Sequence, residues 1–121
     1  MDVKNSHVIS DVPDLGAVFV TESVLGMISA IAALEVDGVY AMAGGITPDM
    51  VTKTSMKKLA KSVHVDVDEN QASIRVKLVV KMNENIIKIS RKVQDKVKQS
   101  VENMTCLDVV NVDVNIASVG E

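Results

Sequence analysis

The chain has 121 residues and a formal charge of −3, the size of one domain able to hide roughly two-thirds of its unfolded surface in a single core. Its acidic balance argues against a general nucleic-acid binder, because affinity for phosphates rests on an excess of Lys and Arg. One Phe, one Tyr and no Trp leave almost no stacking platform for bases, so the core has to be aliphatic.

The single cysteine, Cys106, rules out an intrachain disulfide and fits a reducing, intracellular setting. His7 and His64 show no clustered spacing with other ligands, so no metal or cofactor site is expected. Residues 1 to 14 are polar, contain Pro13 and show no period; they predict a mobile tail ahead of a single domain over 15–121. The opening Met1-Asp2-Val3-Lys4 lacks the basic-then-apolar order of a signal peptide.

Gly16 to Val20 is a short strand candidate. Thr21 then suits an N-cap, with Glu22 in the first turn and Val24, Met27, Ile28, Ile31 and Leu34 at helical spacing, which predicts a first helix to about Glu35. The apolar run from Val24 to Leu34 is bounded by Glu22 and Glu35, far short of the roughly 20 residues of a membrane span. A buried helix is expected there.

Asp37-Gly38 turns the chain, and Val39 to Met42 forms an extended piece leading into Gly44-Gly45. A glycine pair ahead of a helix start raises the question of a phosphate cradle. The Lys and Ser/Thr of the Walker form and the third glycine of the dinucleotide form are both missing, so a turn is the better reading. Thr47 and Pro48 then begin a weak helix that runs to Lys61, with Thr52, Thr54 and Ser55 as indifferent helix formers.

Val63, Val65 and Val67 alternate with His64, Asp66 and Asp68, and Ile74, Val76, Leu78 and Val80 with Arg75, Lys77 and Lys81. The polar residues 68–71 join them into a hairpin. Ile86, Ile89, Val93, Val97, Val101 and Met104 form the apolar stripe of the strongest helix. A last strand places Val110, Val112, Val114 and Ile116 on one face and Asn111, Asp113 and Asn115 on the other. Strands with one wet face predict a two-layer α+β domain: a small mixed or antiparallel sheet with two to three helices on one face.

Candidate sites are few. His64 and Asp66 suit a solvated polar pair better than an acid/base pair, and Cys106 suits a partly buried structural thiol better than a nucleophile. Lys88, Arg91, Lys92, Lys96 and Lys98 make a basic helix face, either a solvated surface or a docking face for an acidic partner or anionic headgroups. Any free strand edge offers a route to self-association.

The order of short motifs is distinctive. Gly16 to Val24, Ala33 to Val39, the valine hairpin, Val93-Gln94 with Val97-Lys98, and Val101 to Leu107 followed by Val110 to Val114 together resemble the alkaline-shock-protein, or Gls24-type, envelope stress response family of Gram-positive bacteria. The match covers about residues 16–119. The chain departs from the family at Ser62 and Cys106, where glycine is common, and at Met82-Asn83-Glu84-Asn85, where the family often has Tyr-Gly; Asn83 or Asn85 can supply a left-handed turn instead.

The resemblance implies a non-enzymatic cytoplasmic protein that self-associates, is held near the membrane by a small membrane-anchor protein, and serves envelope homeostasis. It brings no catalytic residues. Links of some relatives to fatty-acid and lipid metabolism imply an alternative, a small regulator of soluble enzymes. An RNA-binding KH-like module ranks lower, since Gly44-Gly45 is not the GXXG clamp.

Overall fold

The computed structural model describes residues 6–12 and 16–120. Its centre is β5 (Gln71–Lys81), in which Ala72, Ile74, Val76, Leu78 and Val80 all point inward and are sealed from solvent. This is the period-two pattern expected of a strand with one buried face. β4 (Val63–Asp68) returns antiparallel along its first half, from Asp68 opposite Gln71 to Val63 opposite Val76. β3 (Val39–Met42) lies antiparallel along its last part, with Met42 opposite Leu78 and Val39 opposite Val80.

On the other side of β5, β6 (Asp108–Gly120) runs parallel from Gln71 to Lys81. The sheet is thus mixed. β3 and β4 share one edge of β5, and β6 takes the whole of the other. The link between the parallel pair is α3 (Ile86–Met104), consistent with the need of parallel neighbours for a long crossover.

Three helices cover the inner face. α1 (Glu22–Leu34) starts at Thr21, whose Oγ1 accepts from the Val24 N–H at 3.2 Å. α3 starts at Asn85, whose Oδ1 accepts from Lys88 N–H at 3.1 Å, and buries Ile89, Val93, Val97 and Val101. Its terminal apolar residues, Ile86 and Met104, are exposed. α1 packs against both α3 and the short α2 (Met56–Lys61), which makes it the middle of the layer. Its contact with α2 is close: a Cβ on Gly26 would stand 2.7 Å from the Ala60 carbonyl oxygen.

The structure differs from the sequence expectations in several places. Residues 6–12, within the expected tail, form β1 (Ser6–Val12), which pairs with β2 (Gly16–Thr21) in a separate two-stranded sheet; the rest of that tail lies outside the described residues. The weak helix over 48–61 is split into a 3-10 segment, Pro48–Lys53, and α2, separated at Thr54-Ser55. Ser55 Oγ caps α2 by accepting from Lys58 N–H, and a residue that bonds backbone locally is better placed at a cap than mid-helix.

In α1 the inward residues are Leu25, Gly26, Ser29, Ala30, Ala32, Ala33 and Leu34, while Val24, Met27, Ile28 and Ile31 are only partly buried. An all-apolar helix offers no periodic signal to choose its face, and the small residues win because they permit close approach to the sheet and to α2. In β6, Val109 and not Val110 points inward. A register shift opposite Ala72/Ser73 inserts an extra residue, and a bulge moves the side chains that precede it to the other face.

Gly26→Ala would gain about 1 kcal/mol of helix propensity and lose about 1–3 kcal/mol to overpacking against Ala60. A net loss of stability is expected in denaturant unfolding. Exposed Ser23→Ala, by contrast, should stay within about 0.5 kcal/mol.

Candidate interaction surfaces

Gly44 and Gly45 have φ of +103° and +87°, the left-handed region that glycine enters without penalty. They close a turn in which Met42 N–H donates to Ile46 O at 2.8 Å and Gly45 N–H donates to Met42 O at 3.1 Å. Thr47 precedes the 3-10 segment but makes no side-chain capping bond. The glycine pair is a reversal of the chain beside β3.

The outer face of the sheet is wet. His64 and Asp66 lie 3.9 Å apart and Arg75 and Asp113 also 3.9 Å apart, all well exposed, so these pairs contribute little to stability. Cys106 is exposed, not partly buried as expected. It falls in the turn between α3 and β6, where Thr105 and Leu107 take the buried positions. Among the described residues, no group of three His, Cys, Asp or Glu is placed to hold a metal ion.

The basic residues of α3 divide. Lys88, Arg91, Lys92 and Lys98 are exposed, whereas Lys96 turns toward α1 and pairs with Glu35 at 3.4 Å. Lys88 and Lys92 join Lys81, Asp37 and Glu84 around one shallow groove. Arg91 shares a second groove with Ile87 and Asp95. The surface is a cationic face interleaved with carboxylates.

The open edge of β6 is the other surface. Glu102 Oε2 accepts from Val109 N–H at 3.0 Å, and Gln94 Nε2 donates to Val112 O at 3.0 Å, so α3 gives partners to the first part of this strand. Among the described residues, no side-chain hydrogen bond reaches the β6 backbone past Val112. The inward side chains follow the same gradient: Val109 is 3% exposed and Val112 8%, Val114 and Ile116 are half-buried, and Val119 is 48% exposed. The helix layer therefore covers the start of β6 most closely; Val114 and Ile116 still pack against the core, and cover ends before Val119.

A family model for alkaline shock protein 23 (ASP23), described as of cell envelope-related function, matches residues 10–120. The chain belongs to this family. YqhY of Bacillus subtilis (strain 168) is similar, 31% identical over 119 residues, which are 98% of this chain and 83% of that one. No solved structure matches. Membership in the ASP23 family gives the fold a cell envelope-related setting, and no helix among the described residues is long and apolar enough to cross a membrane.

Sequence reasoning placed the cationic residues of this ASP23-family chain on one helix but missed Gln94 and Glu102. Their signal was available: both are polar positions beside the apolar stripe of α3, spaced to face the neighbouring strand. Glu102→Ala should speed exchange of the Val109 amide and cost about 1.5–3 kcal/mol, the range for a hydrogen bond to a charged acceptor. Hydrogen exchange by NMR, with the Val101 amide as an internal reference, checks this.

Proposed function

We propose that the chain is a non-enzymatic interaction protein of the cell envelope that self-associates and works beside the membrane through an anchored partner protein, from the cytoplasmic side. The observation that carries the reading is the half-covered β6. An open strand edge is a template for pairing with another chain, and here the backbone of β6 past Val112 receives no side-chain hydrogen bond among the described residues while its inward side chains grow more exposed toward Val119. Family membership supports the envelope setting.

The cationic face of α3 is the proposed docking face for the anchored partner, which would carry acidic residues. Its charges are exposed and so act on capture and on rate more than on the fold. Regulation of soluble lipid-synthesis enzymes remains the alternative use of the same surfaces, and no feature of the structure favours it.

Light scattering across a dilution series tests self-association through the edge. Ala117→Lys with Val119→Lys, both exposed positions, should shift the population toward monomer by about tenfold in dissociation constant, with the melting temperature nearly unchanged. A chain that is monomeric at high concentration contradicts the reading. For the helix face, Arg91→Glu with Lys92→Glu should weaken recovery of a small membrane protein in affinity purification; undiminished recovery removes the docking role.

A further inference from the structure

Two rows of side chains run along α3, one on each side of its buried stripe. Lys88, Lys92 and Lys96 form the row toward α1, where Lys96 pairs with Glu35 at 3.4 Å and Lys88 and Lys92 border a groove with Asp37. Ile87, Arg91, Gln94, Lys98 and Glu102 follow one another at steps of three or four residues, which stacks them along a single line of a helix. This second row lies on the β6 side, because Gln94 and Glu102 bond the β6 backbone from it, at Val112 and Val109.

The same two bonds give the direction. Going back along α3 from Glu102 to Gln94, the contact moves forward along β6 from Val109 to Val112, so helix and strand are antiparallel. The next members of the row, Arg91 and Ile87, therefore stand beside the part of β6 past Val112. Ile87 is 68% exposed. Arg91 is also exposed and is in no ion pair among the described residues, although Asp95 borders the same groove. An apolar side chain and an unpaired cation thus flank an open strand edge.

A strand added to that edge would carry its inward side chains along this row. Successive inward residues of a strand stand about 6.7 Å apart, and Arg91 lies roughly 6 Å from Ile87 along the helix axis. The two spacings agree, so the row can meet two successive inward residues of one strand, one apolar and one acidic. A second copy's β6 does not supply the acid: from Val114 to Gly120 it has no charged residue.

We infer that the trough between the open end of β6 and the Ile87–Arg91 row binds an extended segment of the anchored partner, with an acidic residue facing Arg91 and an apolar residue two positions away facing Ile87. The inference rests on the reading of β6 as an edge open to another chain, and it names the chemistry of that chain. In this mode of recognition, main-chain pairing supplies affinity and alternate side chains supply the choice of partner. One edge takes one strand, so such a segment also keeps a second copy off the edge.

An NMR titration of the full chain tests it, reading the amides from Val114 to Val119. The probe is an end-capped peptide of threonines alternating with valine, aspartate and valine, so that the aspartate has a valine two positions away in either direction. A control peptide has lysine in place of the aspartate. The aspartate peptide should bind about tenfold more tightly than the control, and Arg91→Glu should reverse that order. Ile87→Ser should weaken both peptides severalfold, with circular dichroism unchanged because both positions are exposed. Excess aspartate peptide should lower the mass seen by light scattering.

Equal binding of the two peptides, or an order that Arg91→Glu leaves as it was, overturns the inference. If neither peptide binds while assembly still yields to Ala117→Lys with Val119→Lys, the edge belongs to a second copy: the inference fails and the reading of β6 stands. If neither binds and the chain is monomeric at every concentration, both fail.

Discussion

The sheet depends on the pairing of one strand. Among the described residues, β5 is hydrogen-bonded on both sides over its length, and β3, β4 and β6 enter the four-stranded sheet through it. Its five inward residues, Ala72 to Val80, are sealed, so apolar burial and ladder hydrogen bonds are concentrated in the same eleven-residue segment. Because β3 and β4 share one edge end to end, the sheet is only three strands wide at any level. A sheet that narrow cannot place its outer strands far from solvent. The exposed edge of β6 follows directly from this topology.

The helix layer answers that exposure unevenly. α3 crosses back to β6 with two polar side chains aimed at its backbone, Gln94 and Glu102, and both engage the beginning of the strand. Toward its end, inward side chains emerge from cover in order, from Val114 to Val119. α1, between α2 and α3, packs its small residues closely and buries Leu25 and Leu34 with them, while Val24, Met27, Ile28 and Ile31 are partly buried. The open end of the β6 edge is what a surface specialised for contact with other chains would present. The wet outer face of the sheet, with its weak pairs at 3.9 Å, offers nothing comparable.

Elements with a clean alternation or a clean 3.6-residue stripe were legible in the sequence. β4, β5 and α3 fall where their periods place them, and Asn83 takes the left-handed conformation that the glycine-poor turn requires, with φ of 66°. The failures have physical causes. α1 is apolar on every side, so its period could not say which side faces the sheet; that choice is made by Gly26, Ala30 and Ala33, which let backbones approach. Val110 was misplaced because a bulge cannot be seen in one strand without its partner. β1 lacks any pattern of its own and exists only as the mate of β2. The basic residues of α3 were legible as a group, but Lys96 is drawn away by Glu35, a residue 61 positions earlier that only the tertiary fold brings near.

The central claim is that the second half of β6 is an edge waiting for another chain while its first half is already satisfied by α3. Residue-resolved hydrogen exchange along β6 at low and high protein concentration tests this most directly. The account predicts that the Val109 amide, held by Glu102, is protected equally at both concentrations, and that edge-facing amides between Val114 and Val119 gain protection only at high concentration. Protection of those later amides that is independent of concentration, or exchange that stays fast at every concentration, would contradict it.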